Sequence, residues 1–227
     1  MVSISLPGYG GSQEVREDTA KDMSSMSRFL ADIIDHIGEP VHLIGHSYGG
    51  LVAYAATLGG TVKPLSLITF EGNPIYSRYQ KSQFPWLEGT LDMARRFEQA
   101  YASGDPDAPA IIIDFWGKKD DFNAMPERFR DYCRSTVYTN ILDWRTAAGF
   151  RPYFSQFGTI DVPCSIVRGE YANQAIVDLS NAISQEIPDN QLLVVDGASH
   201  FLISTHPRDC AKIIDDHMTS YGIRHQS

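Results

Sequence analysis

Ser47 is the residue around which chemistry can be built. It stands in Gly45-His46-Ser47-Tyr48-Gly49, a G-x-S-x-G turn between the apolar run 41–44 and the small-residue stretch Leu51-Val52-Ala53-Tyr54-Ala55-Ala56. In such a strand–turn–helix the glycines let the two elements approach closely, and a strained backbone at the serine exposes its hydroxyl. A serine hydroxyl is a weak nucleophile at neutral pH, so it needs a base within hydrogen-bond reach and a third group that orients the base. The chemistry implied is acyl transfer.

The order of elements selects His200 as the base. It follows Gln191-Leu192-Leu193-Val194-Val195, the last expected strand, and so lies at the carboxyl edge of the sheet, where the Ser47 turn also points. The other histidines are weaker candidates. His46 is expected on the opposite side of the turn, His42 within the strand, His206 in a loop before Pro207, and His36, His217 and His225 on helix surfaces or in the tail. His42 and His46 are four residues apart on a strand and turn instead of a helix, so they do not make a metal-binding pair. No metal ligand set is expected.

Strands and helices alternate along the chain. Residues 1–6 read as a strand, 7–12 as a turn, and 14–37 as an amphipathic helix with apolar residues at spacings of three and four. Strands are expected over 41–46, 64–70, 162–169 and 191–195, and helices after the Ser47 turn, over 178–186 and over 207–221. Between residues 72 and 155 the composition shifts to tryptophan, tyrosine and phenylalanine, with helices expected near 87–102 and 125–148 and a loop over 103–109. The alternation predicts an α/β fold: a mostly parallel sheet with helices on both faces.

Three segments carry a family likeness. The Ser47 turn, the opening Ser5-Leu6-Pro7-Gly8-Tyr9-Gly10-Gly11-Ser12 and the loop Gly197-Ala198-Ser199-His200-Phe201 resemble the α/β-hydrolase family. The resemblance implies a core of residues 1–71 and 156–227 and a helical lid, 72–155, inserted before the last two strands. Ser5 stands where the family usually has aspartate. The family also places a βαβ-sized portion before this opening, with a His-Gly loop that supplies one oxyanion donor; here the core is expected to be N-terminally incomplete, leaving the Tyr48 N–H as the assured donor. Losing one such donor costs on the order of 10²–10³ in rate. An exposed sheet edge would favour pairing with another chain, so a homo-oligomer is among the expected partners.

The resemblance leaves the acid open. Many members carry it three residues after the glycine that ends the penultimate strand, and Gly169-Glu170-Tyr171-Ala172 has alanine there. Others carry it at the end of the strand before the lid, where Glu71 stands, and Glu71 is favoured. Glu170 is the alternative, because extended residues two apart face the same side; Asp178 and Asp196 rank third, as a helix-start carboxylate and a turn former. Phe115-Trp116-Gly117 and Leu142-Asp143-Trp144 look like segments of bacterial lid-bearing hydrolases. Trp116 and Trp144 are therefore expected substrate contacts, though packing of a small lid core explains them equally well.

Composition narrows the rest. A net charge of −9, from 19 basic and 28 acidic residues, argues against nucleic acid or an anionic membrane surface and for a small neutral or apolar substrate. No apolar run is long enough to span a bilayer. Cys133, Cys164 and Cys210 are odd in number and lack a CxxC pair, which points to free thiols, and with no leader segment recognised the expected location is cytoplasmic. The expected function is hydrolysis of an ester or related acyl bond without a cofactor. A non-catalytic binding protein of the same fold, or a hydrolase of carbon–carbon bonds, are the alternatives.

Overall fold

The computed structural model describes the chain except residues 18, 20, 79–83 and 223–227; His225 lies outside the described residues. The elements run α1 (Ser24–Ile37), β1 (His42–His46), α2 (Tyr48–Leu58), β2 (Ser66–Phe70), α3 (Leu87–Ala102), α4 (Ala108–Trp116), α5 (Asp121–Ala124), α6 (Glu127–Ser135), α7 (Val137–Ala147), β3 (Cys164–Gly169), α8 (Gln174–Glu186), β4 (Asn190–Val195), α9 (Leu202–Thr205) and α10 (Pro207–Gly222). All strand pairs are parallel, in the order β1-β2-β3-β4. Among the described residues, five helices and a 3-10 segment, Phe154–Thr159, lie between β2 and β3.

Strand parity sorts the side chains between two faces. Leu67, Cys164 and Ile166 pack against Ala53 and Tyr54 of α2 and Ile183 of α8. Ile68, Phe70 and Val167 pack on the other face with Leu202 of α9 and Cys210 of α10. Every residue of β2 is buried, as a strand covered on both faces requires. Fully burying each of Leu67, Ile68 and Phe70 contributes roughly 1.5–3 kcal/mol, so the centre of the sheet rigidly positions whatever follows its strands.

Several expectations are corrected. Residues 1–6 form no strand and are largely exposed: a strand exists only by pairing, and among the described strands β1 has a neighbour on one side alone. The first helix begins at Ser24, not near residue 14, because Glu14 and Arg16 are committed to a buried ion network described below. The helix expected over 125–148 is two helices, α6 and α7, broken at Thr136 (φ −103°, ψ 9°). Within the loop expected over 103–109, Ala108 already starts α4, with proline in its first turn, where a missing N–H costs nothing.

One polar chain crosses the apolar sheet beneath α10, and it corrects the surface placement of His217, which is fully buried. Gln191 Nε2 donates to Ser165 Oγ (2.8 Å), Ser165 Oγ lies 2.7 Å from His217 Nδ1, His217 Nε2 lies 2.8 Å from Ser66 Oγ, and Ser66 Oγ lies 2.6 Å from His42 Nδ1. A single direction of donation gives the Ser165 proton an acceptor: Ser165 to His217, His217 to Ser66, Ser66 to His42. It requires a neutral His217. Burial, then the neighbouring His42, hold the His217 pKa down to about 4 from 6.5, against the pull of Asp189.

A base whose pKa is depressed on folding stabilises the fold fully above its unfolded value and loses that contribution as pH falls toward the folded one. We therefore expect the unfolding free energy to fall by about 3 kcal/mol from this site between about pH 6.5 and pH 4. Urea titrations across that range check this, and His217→Gln is expected to flatten the slope.

Candidate active site

Ser47 sits at a tight, strained turn. The turn from β1 into α2 holds it at φ 50°, ψ −122°, its N–H donating to Phe70 O at 2.9 Å. A non-glycine residue in this region costs about 1–3 kcal/mol, maintained here by the packing around it. The packing depends on absent side chains: a Cβ on Gly45 would come within 2.5 Å of Gly49 O, and one on Gly50 within 2.7 Å of Gly72 Cα. Tyr48 is the first residue of α2, and N–H groups of a first helical turn have no acceptor within the helix.

Two further side chains complete a line with Ser47. His200 Nε2 lies 3.0 Å from Ser47 Oγ, and its Nδ1 lies 2.6 Å from Glu71 Oε2. The other carboxylate oxygen of Glu71 accepts from the Gly169 N–H at 2.7 Å. Glu71 directly follows β2 and extends its ladder by donating its N–H to Val167 O, then turns at φ 51°. Its side chain is wholly buried, with both oxygens hydrogen bonded. An imidazole held at both nitrogens in this way can take a hydroxyl proton at Nε2 while the carboxylate stabilises the resulting cation.

The other candidate carboxylates are engaged elsewhere. Glu170 accepts from the Gly197 N–H at 2.7 Å and is exposed. Asp178 accepts from the Trp86 indole at 2.9 Å, and Asp196 is exposed. Ala172 packs beside the cluster that contains Trp116 and Trp144.

His46 is not turned away from Ser47. Its ring lies 5.0 Å from that of His200, and its Nε2 lies 2.8 Å from the His200 carbonyl oxygen. Burial, reinforced by His200, holds its pKa down to about 3, so its proton is free to sit on Nε2 and be donated to that carbonyl. The signal that could have found it is strand parity: His46 continues the 42–44–46 alternation onto the face whose edge carries His200.

A cavity of about 310 Å³ opens over Ser47, at the small end of the range for small-molecule sites. Leu51, Ile75, Phe97, Ile112, Ile113 and Ile176 make most of its wall apolar. Trp116 and Trp144 both line it, stacked at 6.3 Å with a 14° interplanar angle, and the Trp116 ring lies 5.8 Å from that of His200.

Behind one wall is a buried ion network that the sequence did not reveal. The Arg16 guanidinium, its side chain fully buried, bonds Glu14, Asp143, Pro7 O and Thr139 O, and reaches the Tyr48 hydroxyl at 3.3 Å. Tyr9 donates its proton to Asp143. Burial pushes the Asp143 pKa up to about 6 against the pull of Arg16. The opening loop, the first residue of α2 and α7 are thereby tied together. Among the described residues no group of three His, Cys, Asp or Glu could hold a metal ion, and no helix is long and apolar enough to cross a membrane.

Residues 1–213 match the family profile described as alpha/beta hydrolase family. The chain belongs to that family. Among solved structures it is similar to MenH from S. aureus, at 19% identity and a TM-score of 0.77, covering 96% of this chain and 83% of that one. It is also similar to a thermophilic esterase from Thermogutta terrifontis solved with malate bound, at 20% identity and a TM-score of 0.71, covering 95% and 78% respectively. MGS-M2, an alpha/beta hydrolase from a Medee basin deep-sea metagenome library, aligns at 13% identity with a TM-score of 0.76, covering 94% and 77%. At these identities the likeness is one of fold. No curated protein matches the sequence.

Proposed function

We propose that this chain is a serine hydrolase that cleaves an ester or related acyl bond of a small, largely apolar substrate. The observation that carries the reading is the continuous line Ser47 Oγ, His200, Glu71 at 3.0 and 2.6 Å beneath an apolar cavity. Ser47 attacks the carbonyl as His200 Nε2 takes its proton, and Glu71 stabilises the imidazolium. The Tyr48 N–H, at the positive end of the α2 dipole, receives the developing oxyanion. His200 then returns the proton to the leaving alcohol, and water, activated by the same base, releases the acyl group. Residues 72–155 act as a lid that supplies most of the apolar wall, with Trp116 and Trp144 contacting substrate.

A second serine–histidine pair, Ser165 and His217, offers no competing site. Both side chains are buried, and the Ser165 proton is already donated within the polar chain across the sheet.

The test is labelling with a small fluorophosphonate, read by intact mass and peptide mapping. A single stoichiometric adduct on the peptide containing Ser47, absent from Ser47→Ala, is the expected result. A folded protein that takes no adduct is not an active serine hydrolase, and the binding-only reading then replaces this one.

A further inference from the structure

One wall of the cavity over Ser47 differs from the rest. Thr136, Asn140 and Asp143 line it from one side of α7 and the residue before it, at spacings of four and three that stack on one helical face. Tyr9 joins them from the opening loop. Away from Ser47, His200 and Glu71 the rest of the wall is mostly aliphatic and aromatic, with Asn73 bonded to Ile176 O and Ser180 Oγ, so a polar stripe here is out of keeping with a purely apolar substrate.

The hydrogen bonds of this stripe fix what it offers. Tyr9 has one hydroxyl proton, given to Asp143, so its oxygen can only accept, and it does so from Asn140 Nδ2 at 3.3 Å. The amide nitrogen of Asn140 must therefore face Tyr9. Its Oδ1 has no hydrogen-bond partner among the described residues. Thr136 spends its hydroxyl proton on Tyr132 O at 2.8 Å, and each Asp143 oxygen has one protein donor where a carboxylate oxygen accepts two. Arg16 could supply opposing donors, but its guanidinium is wholly buried behind the wall and already bonded to Glu14, Asp143 and two carbonyls. Along this stripe the acceptors outnumber the donors, the Tyr132 hydroxyl, which accepts from the Gly10 N–H at 3.2 Å, keeping one proton to give. Glu14 and Asp143 outweigh the single charge of Arg16.

We propose that this stripe is a specificity subsite, centred on Asn140, for a hydrogen-bond-donating group, hydroxyl or ammonium, on the acyl chain of the substrate. The inference rests on the serine-hydrolase reading and narrows it: the substrate is amphiphilic, apolar next to the ester and donating at its far end. A methyl terminus gives the Asn140 oxygen no donor, and a carboxylate terminus meets like charge.

The experiment compares p-nitrophenyl hexanoate and octanoate with their ω-hydroxy, ω-ammonium and ω-carboxylate analogues. The expected order in kcat/KM places a donor-bearing ester about tenfold above the methyl-terminated one, the worth of one added hydrogen bond, with the carboxylate last. Asn140→Leu and Asn140→Ala should both reduce the donor-to-methyl ratio to about one; because the ratio is taken within each protein, a general loss of activity cancels, and agreement between the two variants excludes simple blocking by leucine. Equal rates for methyl and donor esters, a preference for the carboxylate, or a ratio unmoved by both variants would overturn the subsite. Fluorophosphonate labelling of Ser47 in the same preparation separates these results from failure of the hydrolase reading itself.

Discussion

Replacing Ser47 by alanine is expected to lower kcat/KM for a short-chain ester by about 10⁶, the scale on which removing an activated serine abolishes acyl transfer. His200→Ala is expected to cost about the same, and the Ser47→Ala/His200→Ala double variant no more than either single one. The reason is that the two side chains act as a unit: the base has nothing to deprotonate without the hydroxyl, and the hydroxyl is inert without the base. A double variant markedly slower than both single ones would mean that they act independently. Stability gives a second readout at the same residue. Alanine inherits the positive φ of 50° and should leave the melting temperature close to that of the parent, whereas Ser47→Gly removes the backbone strain and should stabilise by about 1 kcal/mol. A site that gains stability when its reactive residue is removed is one where strain serves exposure of the hydroxyl.

Much of this arrangement was legible because it is local. The strand, glycine turn and small-residue helix around Ser47 are contiguous, and the alternation of apolar segments was enough to expect the parallel sheet now seen as β1 to β4. Interactions between distant segments were less legible. The helical spacing that begins at Met23 was extended back to Glu14, yet Arg16 there is bonded both to Glu14 and to Asp143, more than a hundred residues away, which no local pattern records. His217 shows the opposite case. Its spacing with Cys210, Ile213 and Ile214 already placed it on the side of α10 that packs on the sheet, and its polar identity was the misleading cue: a neutral imidazole is well accommodated in a core when Ser66 and Ser165 stand ready at both nitrogens. Ala172 has a similar lesson. Where related chains carry an acid, this residue packs beside the Trp116 and Trp144 cluster, so a carboxylate there would be desolvated against apolar surface.

Glu71→Gln is expected to lower kcat/KM by about 10⁴, and the cause lies in the Gly169 N–H. Glutamine keeps the shape of glutamate but replaces one acceptor oxygen with a donor. Because the backbone N–H of Gly169 is fixed and donates to one oxygen of residue 71 at 2.7 Å, the single oxygen of glutamine is claimed there. The amide NH₂ then faces His200 Nδ1, 2.6 Å from the oxygen it replaces, and two donors cannot share that contact. His200 must shift its proton to Nε2, the nitrogen facing Ser47, where it blocks the transfer it is meant to accept. Glu71→Asp, which keeps both acceptors on a shorter arm, should lose less than the glutamine variant. Glu170→Gln should change the rate by less than about threefold, since a glutamine oxygen can still accept from the Gly197 N–H and the side chain is exposed. If instead Glu170→Gln abolishes turnover while Glu71→Gln leaves it within tenfold, the orienting acid is Glu170, and Glu71 has the purely structural role of joining β2 to β3.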